Sequence, residues 1–229
     1  MGNRSIPELN SVFQVIVIII ISKLVYLKNE KIGNKINIEN IVNLKKKSNS
    51  ENSKSNKEPS PYYTVMDKDD HTLVFESRFE SGNLLAVAKK NDNEYILVVQ
   101  NDTNTTGYSQ WFFFKVSNTK ANMTYHFNII NLQKSTSLYN QGMKMLVYSE
   151  ELEKQTKMGW HRSCKNIQYY RNGIYKIYNE RKRSFSSLLF SYESKFENDH
   201  VFFSNLIPYT YTELMKELNV FEKDDKKYK

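Results

Sequence analysis

From about Tyr62 the chain is a succession of short apolar runs punctuated by clusters of Asn, Asp, Gly and Ser, and this rhythm limits the fold more than any single motif does. The runs "HTLVFESRF", "NLLAVAKK", "EYILVVQ", "WFFFKV", "MTYHFNIIN", "KMLVYS", "NIQYYRN", "IYKIYN", "SSLLFSYES" and "HVFFSNLI" have strand length and are rich in β-branched or aromatic residues. Turn clusters recur about every 8 to 12 residues, the spacing of an antiparallel sandwich or barrel. Alternation shows within the runs: Met123, Tyr125, Phe127 and Ile129 fall on one face, with Thr124, His126 and Asn128 on the other. Leu188, Phe190 and Tyr192 likewise share a face. In the aromatic run, Phe112, Phe114 and Val116 point one way and Trp111, Phe113 and Lys115 the other, so a strand there wants cover on both sides. Large aromatics carry core energetics, which favours burial over a surface on which a sugar or base would stack.

Two short helices interrupt the strands. "SEELEKQ", Ser149 to Gln155, opens with a capping Ser and early Glu residues. Further on, Thr210 and Glu213 have capping-box spacing, and Tyr211, Leu214, Met215 and Leu218 repeat at helical spacing. That apolar stripe needs something to cover it, and after Phe221 the sequence offers only "EKDDKKYK". The fold expected is all-β, a mostly antiparallel β-sandwich over residues 62–212 with one or two short helices, followed at 213–229 by a helix and tail leading toward an absent domain.

Residues 1–27 form a hydrophobic extension, disordered or helical, whose apolar part runs from Val12 to Leu27. It falls short of the roughly 20 apolar residues of a membrane-spanning helix and contains Gln14 and Lys23. Its β-branched richness also suits a strand, so membrane anchoring by 12–27 stays open beside local packing. Residues 28–61, rich in Lys, Asn and Ser, cannot bury enough apolar area to offset ordering and read as a disordered basic linker.

The net charge is +8, but from Lys28 to Ser60 eight Lys stand against four Glu, so half of the excess sits in that linker. The remainder is mildly basic and lacks the Lys/Arg stripe of a nucleic-acid groove; no nucleic-acid partner is expected. A single cysteine, Cys164, excludes an internal disulfide framework and fits a reducing compartment.

Chemistry-bearing motifs are absent. The four histidines, His71, His126, His161 and His200, are scattered, and none starts a His-x-x-Glu or His-Glu-x-x-His. His161 and Cys164 lie three apart, but a structural metal site wants four ligands and a Cys nucleophile wants a positioned base. No P-loop, dinucleotide fingerprint or nucleophile elbow occurs, and Glu76, Glu80 and Glu94 read as a solvated face. No catalytic, cofactor-binding or metal residue is assigned.

The order of the landmarks carries a resemblance. "FESGNL" (79–84), "NDTNTTGYSQWFFFKVSN" (101–118), "YHFNIINLQKSTSLYNQGMKMLVYS" (125–149), "YYRN" (169–172), "FSYESKF" (190–196) and "PYTYTEL" (208–214) are similar, in order and spacing over roughly residues 70 to 218, to the amino-terminal domain of cytosolic carboxypeptidases. These are M14-type zinc enzymes that trim glutamates from tubulin tails and related acidic chain ends. The resemblance implies a β-sandwich that packs on the zinc-bearing α/β catalytic domain and helps frame its cleft. It marks Phe79, Glu80, Ser81, Gly82, Asn83, Trp111, Phe113, Asn118, Asn131, Pro208, Tyr209, Thr210 and Tyr211 as family-motif or docking candidates. Gly82 is then a bulge or tight-turn position, and "PYTYT" is where the chain crosses toward the catalytic domain.

Two departures matter. Lys115 stands where the family usually has Arg, weakening any bidentate carboxylate contact. The family's zinc ligands and catalytic Glu lie beyond "PYTYT", so no residue here matches them, and zinc is expected in the missing catalytic domain. The expected function is that of a non-catalytic amino-terminal domain, inactive alone, whose partners are the catalytic domain and tubulin or other acidic tails, in the cytoplasm at microtubules or cilia. The alternative is a stand-alone interaction module for tubulin or another acidic protein, tethered at a membrane by Val12 to Leu27.

Overall fold

The computed structural model describes residues 69–105, 108–178 and 180–223; the apolar extension and the basic linker lie outside them. Ten strands appear there: β1 (Val74–Glu76), β2 (Leu84–Lys89), β3 (Glu94–Val99), β4 (Phe113–Ser117), β5 (Thr124–Leu132), β6 (Met145–Ser149), β7 (His161–Ser163), β8 (Lys165–Tyr178), β9 (Arg181–Glu193) and β10 (Val201–Ser204). They form two five-stranded sheets, ordered β1-β4-β10-β6-β7 and β2-β3-β5-β9-β8. Every pairing but one is antiparallel. β3 and β5 run parallel, because the chain between them crosses to the first sheet to lay down β4 and then returns.

The sheets close on each other through residues of alternating parity. Phe75, Phe112, Phe114, Val116, Val147, Val201 and Phe203 from the first sheet meet Tyr95, Leu97, Tyr125, Phe127, Ile129, Leu188 and Phe190 from the second. Phe127 sits at the centre, its ring centroid 5.2 Å from those of Phe190 and Phe203 and 6.4 Å from that of Phe114. The faces read from alternation, Tyr125-Phe127-Ile129 and Leu188-Phe190-Tyr192, are the buried ones.

Helix α1 (Glu150–Thr156) follows β6 directly. The Leu152 amide donates to Ser149 Oγ (3.0 Å), and Ser149 Oγ donates to buried Asp199 Oδ2 (2.5 Å), fastening the helix start to the turn before β10. A 3-10 turn (Leu138–Gln141) precedes β6, and helix α2 (Tyr211–Lys223) follows β10. "NIQYYRN" and "IYKIYN", read as two strands, belong to the single strand β8, whose register with β9 shifts between Arg171 and Tyr175. Gly173, inside that shift, is a backbone irregularity rather than a chain reversal.

Candidate docking face

The outer side of the first sheet is where most motif residues gather. β4 sends Phe114 inward, so Phe113 points outward, yet it is only 7% exposed. Phe79, Trp160, Phe202 and Trp111 surround it at centroid distances of 4.9, 5.9, 6.1 and 6.3 Å. Tyr148 extends the layer to Trp160 (5.7 Å) and Phe202 (5.9 Å). Lys115 lies with Nζ 5.8 Å from the centroid of Phe202, a cation held against a ring face. The aromatic run thus serves two surfaces, an inter-sheet core and an outer aromatic layer.

The "ESGN" loop builds the rim of this layer. Ser81 has φ 67°, and the Gly82 amide donates to the Phe79 carbonyl (2.9 Å), closing a tight turn. A Cβ on Gly82 would lie 2.2 Å from the Ser77 carbonyl oxygen, so only glycine fits. Asn83 then behaves like a short strand of its own: its Nδ2 donates to the Trp111 carbonyl (2.7 Å) and its Oδ1 accepts from the Phe113 amide (3.0 Å). The Trp111 indole N–H donates back to the Ser81 carbonyl (2.8 Å), which spends its polar edge within the domain.

The "PYTYT" segment arrives at the same rim. Thr210 and Glu213 form the expected capping box, the Thr210 amide donating to Glu213 Oε2 (2.7 Å) and the Glu213 amide to Thr210 Oγ1 (3.2 Å). Glu80 Oε1 accepts from the Thr212 amide at 3.0 Å, joining residues 132 positions apart. The Thr212 hydroxyl and amide hold the Glu80 carboxyl below its ordinary range, and a carboxylate also suits a helix N-terminus electrostatically. Tyr209 donates from its hydroxyl to Glu217 Oε2 (2.7 Å). No residue of α2 is buried: Leu214, Met215 and Leu218 are exposed, as are Leu206 and Ile207 ahead of it. A helix of this length is marginal in water without packing on an apolar face. Between Asn83, Asp102, Trp111, Ile207 and Tyr209 runs an open groove of about 570 Å³.

A profile of the cytosolic carboxypeptidase N-terminal domain matches residues 75–192. The chain belongs to the cytosolic carboxypeptidase family. It is 42% identical over 159 residues to cytosolic carboxypeptidase 3 of Mus musculus, a match covering 69% of this chain and 15% of that protein. Against cytosolic carboxypeptidase 2 of Homo sapiens it is 40% identical over 151 residues, 66% of this chain and 16% of that protein. The chain therefore matches only about a sixth of these relatives' length. Among solved structures, a metallo-carboxypeptidase from Burkholderia cenocepacia aligns with a TM-score of 0.46 at 14% identity, over 66% of this chain and 33% of that one; that likeness carries no argument.

Within this cytosolic carboxypeptidase domain, two of the motif candidates stand apart from the face. Asn118 (φ 62°) donates from Nδ2 to the carbonyls of Asp70 and Thr72 (2.8 and 2.9 Å) and holds the strand before β1 in place. Asn131 is buried, and its amide exchanges two hydrogen bonds with the Val99 backbone (2.9 and 2.8 Å), continuing the parallel β3–β5 pairing by a side chain. Pro208 is half-buried just ahead of the capping box. Among the described residues no three His, Cys, Asp or Glu converge; His161 Nδ1 lies 3.0 Å from the Gly159 carbonyl, and burial pushes the Cys164 thiol up. Phe202, Tyr148 and Trp160 were not singled out from sequence. Alternation in "KMLVYS" and "HVFFSNLI" puts Tyr148 and Phe202 opposite the core side, but nothing local says that β10 lies between β4 and β6.

Proposed function

We propose that this chain supplies the non-catalytic amino-terminal sandwich of a cytosolic carboxypeptidase, and that the zinc-bearing catalytic domain docks on its aromatic face and on α2. The reading extends to removal of C-terminal glutamates from tubulin-like acidic tails, in the cytoplasm, at microtubules or cilia. The observation that carries the docking reading is α2: a capped amphipathic helix, tethered through Glu80 to the rim of an aromatic layer, with its entire apolar stripe exposed. Exposed contiguous apolar surface of this kind marks an interaction site. Catalysis and zinc would belong to the docked domain.

The test is co-expression of the chain with the catalytic region of human cytosolic carboxypeptidase 2, followed by size-exclusion chromatography. A stable complex is expected, and Leu214→Glu/Leu218→Glu should abolish it while leaving the sandwich's thermal unfolding unchanged, since both residues are exposed. Separate elution of the unsubstituted partners would refute the docking. Release of glutamate from a polyglutamate tail by the complex, but not by the chain alone, is expected; turnover by the chain alone would refute the non-catalytic reading.

A further inference from the structure

The groove beside the "ESGN" turn lies among four stretches of chain, residues 79–84, 100–105, 108–111 and 206–214. In a chain of net charge +8 these four contain no Lys, Arg or His, but they do carry Glu80, Asp102 and Glu213. Among the described residues none of the three carboxylates has an ion-pair partner. Glu80 and Glu213 are engaged by hydrogen bonds at the start of α2. Asp102 differs, because only its backbone closes the loop: its amide donates to the Tyr108 carbonyl (2.8 Å), and its own carbonyl accepts from Thr105 Oγ1 (2.7 Å).

The polar atoms of the aromatic residues in this groove are already engaged. The Trp111 indole N–H is spent on the Ser81 carbonyl and the Tyr209 hydroxyl on Glu217 Oε2, while the Asn83 amide is spent on the backbone of Trp111 and Phe113. Trp111 and Tyr209 therefore offer a ligand their ring faces, beside exposed Ile207. An apolar occupant would strip water from Asp102 without pairing it, a cost comparable to what the rings return. An anion would meet three like charges. A guanidinium meets both demands: it is a planar cation, more weakly hydrated than an ammonium, that stacks on aromatic faces and carries five donors for carboxylate oxygens.

We propose that this groove receives an arginine side chain presented by a partner protein, its guanidinium against the faces of Trp111 and Tyr209 and paired with Asp102. The inference rests on the docking reading for who presents that arginine, namely the docked domain; the chemistry of the groove stands apart from it. A volume of about 570 Å³ holds a guanidinium, its methylene stem and flanking backbone. Apolar contact along α2 has no direction of its own, whereas a charged anchor in a groove fixes the register of the two surfaces. Arginine is also among the residue types that concentrate binding energy at protein interfaces.

The test follows the indole N–H signals of Trp111 and Trp160, the two tryptophans of the chain, by NMR while the full-length protein is titrated with N-acetyl-arginine amide. Trp111 should shift saturably, and Trp160, which does not line the groove, should not. N-acetyl-citrulline amide keeps the shape without the charge and should bind about tenfold more weakly, a readout that needs no variant. Asp102→Asn should weaken the arginine derivative about threefold and leaves the backbone bonds of the loop in place. No shift at Trp111, equal shifts at both tryptophans, equal binding of the citrulline derivative, unchanged affinity of Asp102→Asn, or a larger response to maltotriose, which would make the groove a sugar site, would each overturn the proposal. Against the catalytic region of human cytosolic carboxypeptidase 2, Asp102→Asn should weaken association about threefold as well. Failure of the unsubstituted proteins to associate would refute the docking alone, and a complex indifferent to Asp102→Asn would refute the arginine anchor alone.

Discussion

Gly82→Ala is the sharpest single perturbation the structure offers. The added Cβ would stand 2.2 Å from the Ser77 carbonyl oxygen, 2.9 Å from its carbon and 3.1 Å from Phe79 Cε2, where ordinary contact begins at 3.4 Å. Backbone must therefore move by about 1 Å. Neither side is free to do so: Ser77 Oγ donates to the Leu84 carbonyl and accepts from the Leu84 amide, both at 3.1 Å, while the turn is closed by the Gly82 amide on Phe79. Overpacking costs about 1–3 kcal/mol, and with backbone on both sides the upper end applies. For a domain of this size about 3 kcal/mol corresponds to a fall in Tm of about 6–12 °C. Thermal unfolding followed by far-ultraviolet circular dichroism measures it. Gly159→Ala is the control, because a Cβ there meets nothing within 4 Å, and its Tm should stay within the range of ordinary surface substitutions. Equal melting of Gly82→Ala and the parent would refute the steric argument; equal loss in both variants would show that a generic glycine effect had been mistaken for a clash.

Other expectations follow from the same geometry. Asn83→Ala strands the Phe113 amide and the Trp111 carbonyl and should cost about 2–4 kcal/mol in urea unfolding, with Trp fluorescence changing because Trp111 loses its support. The Arg78 guanidinium, beside Glu76 at 2.5 Å, lowers the Glu76 carboxyl to about 2. A depressed carboxylate stabilises above its unfolded value near 4.5 and loses that contribution as pH falls toward about 2. Glu76→Gln should therefore be less stable than the parent by about 1 kcal/mol at pH 7, solvent screening included, with the gap closing across that acid window. The Cys164 thiol, buried and pushed up by burial, should resist a thiol reagent at neutral pH and react fully in denaturant; rapid labelling of the native chain would contradict its placement in the core.

Legibility in the sequence followed the range of the interactions. The strands, the faces of β5 and β9 and the Ser149 and Thr210 caps rest on neighbours close along the chain and could be read, whereas Gly82 was marked as a turn position only by the resemblance. The motif residues "FESGN" and "PYTYT" could be recognised but not brought together, because their meeting depends on a hydrogen bond between Glu80 and Thr212.

A period of two states which side of each strand must leave water, and that alone committed this chain to layered sheets around an aromatic core. It does not state which strand lies beside which. Only the assembled sandwich placed β10 between β4 and β6, turned Phe202 and Phe113 into one outer layer, let β3 and β5 run parallel, and kept the apolar stripe of α2 exposed. Local patterning is decided by the solvent each side chain prefers, whereas strand order is decided by which distant surfaces fit, and those fits exist only once the chain has closed on itself.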